Sequence, residues 1–306
     1  MSAIASNASP RTANAAGNDH ERHLVRVEET LRSIMTNLPG NRVLETALHH
    51  HLDAGGQRFR AQLCIDASIA LGISEQAATA MASGCELLHN ASLVQDDLQD
   101  RDETRRGHTS VWAEFGDDVA IGLTDALISS AFAALADVDD HTRVAALVKI
   151  AHAAVAETVA GQHSDLAFRE SPQQTVAAYL SIARAKSGPL VALAMQLPMT
   201  YCGSSTSLTR AGRAACAFAT AYQIVDDLRD RESDRATDGN PGALNLIHLL
   251  EALDVPEPTA NAVAIAEDHL AVCRFAAPGL PQGIGAPLLG QANVLEDTLR
   301  RLRHDG

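Results

Sequence analysis

Residues 93–107 read LVQDDLQDRDETRRG, and this stretch gives the strongest indication of fold and chemistry in the chain. Asp96 and Asp100 stand four residues apart in a run that begins with apolar, helix-forming residues, so they share one face of a helix. Two like charges at this spacing destabilise a helix unless a cation binds to them. Carboxylate oxygens without His or Cys suit a hard ion such as Mg²⁺, and the arginine pair that follows suits phosphate. The stretch therefore predicts a helix that binds Mg²⁺ and a phosphorylated substrate.

The acidic pattern occurs a second time, in residues 223–230, which read QIVDDLRD. Its aspartates have the spacing of the first motif: Asp226, Asp227 and Asp230 against Asp96, Asp97 and Asp100. A single pattern of this kind is more often a solvated acidic face than a metal site. Two copies, each following an apolar run, indicate two helices that face each other and can hold a cluster of Mg²⁺ ions between them.

The composition predicts an almost wholly helical protein. Of the 306 residues, 46% are hydrophobic, 20% are charged and only 3% are aromatic. Ala and Leu are abundant, and β-branched residues form no alternating runs. Apart from the acidic motif there is no internal repeat, and no low-complexity linker follows the N-terminal segment. We therefore predict a disordered leader over residues 1–19 and a single all-α domain over residues 20–306.

The charge and the cysteines argue against several classes of protein. A formal net charge of −14 disfavours nucleic acid as a partner and leaves no basic patch for a membrane surface. The five cysteines form no CxxC pair, which favours buried thiols in a reducing cytoplasm over disulfides or a zinc site. No apolar run reaches the ~18 residues of a transmembrane helix, and the N-terminus lacks the pattern of a signal peptide. The expectation is a cytoplasmic protein without a transmembrane segment.

Three further stretches contain candidate ligands for an anion. The segment GGQRFR at residues 55–60 combines two glycines with two arginines at the start of a helix. This is compatible with an anion pocket, but the segment taken alone favours a helix end that carries solvated arginines. His89 precedes Asp96 by seven residues and so faces the same side of its helix. Lys186 lies in the predicted break KSGP, where its side chain either reaches into a cavity or extends to solvent.

Taken in order, five motifs resemble those of the trans-polyprenyl (isoprenyl) diphosphate synthases of geranylgeranyl or longer-chain type. They are GGQRFR, HNASLVQDDLQDRDETRRG, GQHSDL, AKSG and YQIVDDLRD, spread over about residues 55–231. The resemblance implies an all-α, single-domain helical bundle around a deep central cavity, the isoprenoid synthase type I fold, usually as a homodimer. It also implies a prenyltransferase whose two acidic motifs face each other across the cavity mouth.

The resemblance further implies a role for individual residues. The main ligands of three Mg²⁺ ions would be Asp96, Asp100 and Asp226, with Asp97, Asp227 and Asp230 in support. The allylic diphosphate would be bound by Arg105 and Lys186, and isopentenyl diphosphate by Gln57, Arg60, His89 and Arg106. Gln223 and Ser187 would line the reacting carbons, and together with Lys186 they would be the catalytic residues. The substrates would be small-molecule prenyl diphosphates, ionised with the help of Mg²⁺ and condensed head to tail.

Two departures from the family pattern concern positive charge. Gln57 stands where the family usually has Lys. The segment RESDRATDGNPGALN, residues 231–245, contains no lysine where the family usually has one or two that close over the diphosphates, although Arg231 or Arg235 can substitute. Each missing cation weakens anion binding, because a hydrogen bond to a charged group contributes about 1.5–3 kcal/mol.

These departures leave two alternatives open. The chain can be a class I terpene synthase, a lyase that ionises a prenyl diphosphate without isopentenyl diphosphate. It can also be a non-catalytic subunit of a hetero-oligomeric synthase, although retention of all six aspartates speaks against that. Arg60, His89 and Arg106 favour a synthase, because a lyase has little need of three groups for a second diphosphate.

The length of the product can be argued from side-chain size. Ala91 and Ser92 stand one turn before Asp96, where they would line the part of the cavity that receives the growing chain. Members that resemble farnesyl synthases often have an aromatic residue there, whereas both residues here are small. The resemblance therefore implies a product of C20 or longer, unless a deeper residue such as Phe132 or Phe168 forms a floor.

Overall fold

The structure is a computed structural model that describes residues 10–34, 42–169, 171–231 and 244–305. This part of the chain forms twelve α-helices: α1 Pro10–Ser33, α2 Arg42–Asp53, α3 Phe59–Ala70, α4 Glu75–Asp100, α5 Val111–Phe115, α6 Asp117–Ala136, α7 Val144–Arg169, α8 Val176–Tyr201, α9 Leu208–Arg229, α10 Leu246–Ala252, α11 Pro258–Ala276 and α12 Ala286–Asp305. A short antiparallel ribbon, β1 Thr104–Arg105 and β2 His108–Thr109, follows α4. The predicted all-α fold is confirmed.

The long helices α4, α7, α8 and α9 form the centre of the bundle. Helix α8 packs between α7 and α9, and α4 packs against α6, α3 and α8. Two glycines permit close approaches among α7, α8 and α9. A Cβ on Gly161 would lie 2.4 Å from the backbone nitrogen of Lys186, and one on Gly188 would lie 2.7 Å from Sγ of Cys216. Gly161 belongs to the motif GQHSDL, and Gly188 belongs to the motif AKSG, which also contains Lys186. Close packing of the helices at these two glycines therefore fixes the position of Lys186.

Helix α8 differs from the sequence prediction. The motif KSGP at residues 186–189 was expected to interrupt the helix, but α8 continues through it to Tyr201 and contains Pro189 and Pro198. Proline removes a backbone donor and normally breaks or kinks a helix. Here Pro189 is buried together with its neighbours on α8. Burial between α7 and α9 thus overrides the local preference of the sequence.

Helix α1 begins at Pro10, ten residues before the predicted start at His20. It therefore includes residues 10–19 of the predicted leader, while residues 1–9 lie outside the described part. Proline is well tolerated in the first turn of a helix, and the alanines that follow favour helix formation. Val27 and Leu31 of α1 are buried in the core.

Contrary to the expectation from the sequence, two stretches, Asp117–Ala136 and His141–Arg169, are long and apolar enough to cross a membrane by length and composition alone. Core helices of soluble proteins pass the same test, so this is weak evidence for a membrane protein. Only 39% and 28% of the residues in their most apolar windows are buried in the chain itself. These two helices therefore carry apolar side chains that the chain itself leaves partly or fully exposed, such as that of Ile121, which is 52% exposed.

Candidate active site

A cavity of about 840 Å³ lies among α3, α4, α6, α7, α8, α9 and α12. Both acidic motifs reach it, through Asp96 on α4 and Asp226 on α9. Its apolar wall includes Ile128, Val155, Leu190, Val191 and Phe218. The deep cavity between the two motifs is thus present as expected.

The two acidic motifs use their aspartates in the same way. The first aspartate of each pair, Asp96 or Asp226, lines the cavity, whereas the second, Asp97 or Asp227, is buried within the protein. Consecutive residues on a helix point about 100° apart, so only one of two adjacent aspartates can face the cavity fully. Asp97, Asp100, Asp227 and Asp230 are not among the residues that line it.

Asp97 is held by Arg105, which was predicted to bind diphosphate. Nε of Arg105 lies 2.8 Å from each carboxylate oxygen of Asp97. Burial raises the pKa of Asp97, although Arg105 opposes the shift. Arg105 also lines the cavity. The pair therefore places a guanidinium at the cavity wall, beside Asp96.

Three protein groups donate hydrogen bonds to the carboxylate of Asp227. It accepts hydrogen bonds from the Tyr179 hydroxyl at 2.5 Å, from Nε2 of Gln223 at 3.0 Å and from the backbone N–H of Leu246 at 2.8 Å. The side chain of Asn245 donates to the backbone carbonyl of Asp227. Asp227 therefore joins α8, α9 and α10, and the supporting role predicted for it and for Asp97 stays a prediction.

Lys186 projects from α8 between two carboxylates. Its Nζ lies 2.9 Å from Asp96 and 2.9 Å from Asp165, which is buried on α7. Arg169 lies one turn after Asp165 on α7. Its guanidinium is 3.0 Å from the carboxylate of Asp165 and 3.1 Å from that of Asp100, so it joins the two. Burial acts against ionisation of Asp165, yet Lys186 and Arg169 hold its pKa below the ordinary value. Besides Arg105, two cations thus bind the first acidic motif, and Asp165 holds both.

A second cluster at the cavity consists of cationic and neutral nitrogen groups. Nη1 of Arg60 lies 3.0 Å from Nε2 of His89. Burial lowers the pKa of both, and Arg60 lowers that of His89 further. Arg106 donates to the carbonyl oxygen of Gly55, and Gln57 lines the same region with an exposed, uncharged side chain. All four residues predicted to bind the second substrate therefore line one cavity.

The predicted catalytic and chain-length residues also line the cavity. Oγ of Ser187 donates to Oε1 of Gln223 at 3.3 Å, and Gln223 is fixed in turn by Asp227. Ala91 and Ser92 line the cavity on α4, but Phe132 and Phe168 do not. The apolar wall seen here therefore does not use either phenylalanine that was considered as a floor.

Several residues of the site were missed in the sequence. Arg169 had a usable signal, because it stands four residues after Asp165 on the same helix face. Tyr179 had none, since its partner Asp227 is 48 residues away along the chain. Gln162 and Thr158 line the cavity with buried polar atoms that have no hydrogen-bond partner in the described part of the protein.

The carboxylates that face the cavity fit Mg²⁺. Within the described ranges, no three His, Cys, Asp or Glu side chains come close enough to form a metal site of their own. Mg²⁺ is usually bound by one or two carboxylates together with water and substrate phosphates. Asp96 and Asp226 offer oxygen ligands of this kind, with Arg105 and Lys186 nearby for the phosphate.

Comparison with known proteins agrees with this architecture. The Polyprenyl synthetase family model matches residues 41–243. Geranylgeranyl pyrophosphate synthase of Geoglobus acetivorans is 34% identical over 190 residues, which are 61% of this chain and 59% of that protein. (2E,6E)-farnesyl diphosphate synthase of Mycobacterium bovis is 36% identical over 177 residues, 56% of this chain and 48% of that protein. The chain therefore matches about half to three fifths of the length of these relatives.

The fold is also found among solved structures. Geranylgeranyl pyrophosphate synthetase from Pyrococcus horikoshii superposes with a TM-score of 0.77 at 25% sequence identity. The match covers 94% of this chain and 99% of that one. Since the family model also spans well over half of the residues, the chain belongs to the polyprenyl synthetase family.

Proposed function

We propose that the chain is a Mg²⁺-dependent prenyltransferase that joins an allylic prenyl diphosphate to isopentenyl diphosphate, head to tail. The product is a trans-polyprenyl diphosphate of C20 or longer. One observation carries this proposal: two chemically different clusters line the same cavity. Asp96 and Asp226 offer oxygen ligands, whereas Arg60, His89 and Arg106 form a separate group of nitrogen donors. Two diphosphates can therefore bind side by side, only one of them through metal.

The first cluster suits the allylic substrate. Asp96 and Asp226 would hold Mg²⁺ together with the diphosphate, and Asp100, which pairs with Arg169 in the structure, would be a further ligand. Three ions are the number expected from the resemblance. The bound Mg²⁺ supplies Lewis-acid neutralisation of the departing diphosphate. Lys186 and Arg105 bind its oxygens through charge-assisted hydrogen bonds.

Cleavage of the allylic C–O bond leaves the electron pair on diphosphate and a cation on the prenyl chain. The apolar wall at Ile128, Val155 and Phe218 excludes water from that cation. Arg60, His89 and Arg106 hold isopentenyl diphosphate so that its double bond attacks the allylic carbon. A C–C bond forms, and the released diphosphate takes up the proton that is lost. Oxygens of Ser187 and Gln223 face the reacting carbons.

A lyase that needs no isopentenyl diphosphate is the second candidate. The uncharged Gln57 at the second cluster favours it. A product assay distinguishes the lyase from the transferase. In this assay, purified protein and Mg²⁺ receive each allylic diphosphate with and without isopentenyl diphosphate. Longer prenyl diphosphates formed only in the presence of isopentenyl diphosphate support the transferase. Hydrocarbons or alcohols formed without it identify a lyase.

The proposal includes a homodimer that works in the cytoplasm. Ile121 on α6 is 52% exposed, and most of the apolar window in residues 141–169 lies outside the core. A second copy packed against α6 and α7 would cover these side chains. Sedimentation velocity tests this assembly: the wild type should sediment as a dimer, and Ile121→Asp should shift it toward the monomer.

A further inference from the structure

Arg58 has an unusual backbone and a well-defined position at the cavity. It precedes α3 in the left-handed conformation, with φ 50° and ψ 33°. Such a conformation is uncommon for a residue with a side chain and is retained where the surrounding structure determines it. The side chain lines the cavity and is only 14% exposed. Arg58 therefore calls for an explanation beyond that of a solvated arginine at a helix end.

Glu28 fixes two nitrogens of the Arg58 guanidinium, whereas the third, Nη1, lies 4.0 Å from the buried carboxylate of Glu86 and faces Arg106 over Gly56. Glu28 of α1 accepts from Nε at 2.9 Å and from Nη2 at 3.4 Å. Nη1 is turned toward Gly56, where it lies 3.0 Å from the position that a Cβ would occupy. Nη1 of Arg106 lies 2.6 Å from the same point. The two guanidinium groups therefore converge over the backbone of Gly56, which has no side chain to separate them.

The charge around this point is not balanced by the protein. Among the described residues, the carboxylates in ion-pair contact with Arg58, Arg60 or Arg106 are those of Glu28 and Glu86, and both contact Arg58. Burial lowers the pKa of Arg106, and the neighbouring Arg105 and Arg58 lower it further. Converging guanidinium groups at a cavity are stabilised by an anion with several oxygens, such as a diphosphate.

We propose that Arg58 binds the diphosphate of isopentenyl diphosphate through Nη1 and supplies the positive charge that Gln57 does not. This inference rests on the proposed prenyltransferase function. Glu28 acts as a positioning residue, because it holds the other two nitrogens of the same guanidinium. Helix α1 thereby takes part in substrate binding, although no residue of α1 lines the cavity itself.

The test compares Arg58→Gln with a matched control on the same carboxylate. Arg32 also pairs with Glu28, at 2.9 Å, but does not line the cavity. With the allylic diphosphate saturating, Arg58→Gln should raise KM for isopentenyl diphosphate about tenfold or more and change KM for the allylic substrate less than about twofold. Arg32→Gln should leave both values near wild type. Arg58→Lys should retain most of the affinity, and Gln57→Lys added to Arg58→Gln should restore it.

Calorimetry separates this inference from the proposed function. Isopentenyl diphosphate is titrated into each variant without an allylic substrate, and circular dichroism verifies that each variant is folded. Weaker binding by Arg58→Gln, rescued by Gln57→Lys, supports the role of Arg58 even where the product assay identifies a lyase. Unchanged binding by Arg58→Gln, or an equal loss in Arg32→Gln, overturns it. A wild type that binds no isopentenyl diphosphate overturns both proposals.

Discussion

Nζ of Lys186 lies 2.9 Å from the buried carboxylate of Asp165, and this contact depends on Gly161, at which α7 and α8 touch. Asp165 is almost completely buried and also binds Arg169. Lys186 also pairs with Asp96, and Arg169 also pairs with Asp100. A carboxylate that itself faces no substrate thus determines where the positive charge at the first acidic motif lies.

Asp165→Asn should both destabilise the protein and weaken allylic diphosphate binding. Lys186 and Arg169 would lose the carboxylate they share, and breaking a buried ion pair lowers the free energy of unfolding by about 3 kcal/mol. Lys186 would also lose its fixed position, so KM for the allylic diphosphate should rise about tenfold. Urea unfolding and steady-state kinetics measure the two effects.

The chain offers a matched control for this change. Glu157 and Arg184 also join α7 to α8, at 3.8 Å, but both are exposed. Glu157→Gln should lower the free energy of unfolding by less than about 1 kcal/mol, because surface ion pairs contribute little. If the two variants were equally stable and equally active, Asp165 would not have the central role assigned to it.

The adjacent aspartates of the second motif should respond differently to mutation. Asp226→Asn removes an oxygen ligand from the cavity, so turnover should fall at least a hundredfold. Activity should also require a higher Mg²⁺ concentration, whereas the free energy of unfolding should change little. Asp227→Asn leaves the donors of Tyr179 and Leu246 with a poorer acceptor and should lower the free energy of unfolding by about 2 kcal/mol. Tyr179→Phe should reproduce part of the second effect. Mg²⁺ titrations of activity, alongside urea unfolding, separate the two roles.

His51 should make stability depend on pH. It is buried on α2, where Nε2 lies 3.0 Å from Oδ1 of Asn90 on α4, and burial lowers its pKa to about 4. The unfolded chain binds a proton near pH 6.5, whereas the folded protein does so only near pH 4. The stabilising effect of neutral His51 is therefore complete above pH 6.5 and is lost as the pH falls toward 4.

This residue alone should lower the free energy of unfolding by about 2–3 kcal/mol between pH 7 and pH 4.5. Urea unfolding at both pH values measures the change. His51→Gln should remove that part of the pH dependence, and the exposed His163 on α7 provides the control, His163→Gln. A wild-type slope retained in His51→Gln would show that other groups cause the pH dependence.

Sequence and structure agree wherever the information is local. The helical spacing of Asp96 and Asp100 and the second motif at Asp226 could be recognised without a fold. What could not be predicted depends on contacts between distant helices. The continuation of α8 through Pro189 and the burial of Asp227 beneath Tyr179 both arise from packing among α7, α8, α9 and α10. Propensity and periodicity carry no information about such contacts.

Contacts between charged side chains on distant elements could not be predicted from the sequence either. The sequence predicted that Arg105 would face the substrate, and the structure adds that it is also paired with Asp97. Gln57 indicated weaker binding of the second diphosphate. The position of the Arg58 side chain could be known only from the structure, in which Glu28 of α1 lies beside it. Which cation compensates for a missing one is decided by tertiary structure.

The small side chain of Ala91 should permit a long product. Ala91 lies on α4 one turn before Asp96 and lines the cavity that, under the proposed function, would receive the growing prenyl chain. A graded series, Ala91→Val, Ala91→Leu and Ala91→Phe, adds increasing volume at one point of that wall. The product distribution, measured by mass spectrometry with dimethylallyl diphosphate and isopentenyl diphosphate, should shift to shorter chains in the same order. Because overpacking of a helix contact costs about 1–3 kcal/mol, thermal unfolding of each variant verifies that the fold is retained. A folded Ala91→Phe variant that makes products of wild-type length would show that the chain extends along another wall of the cavity.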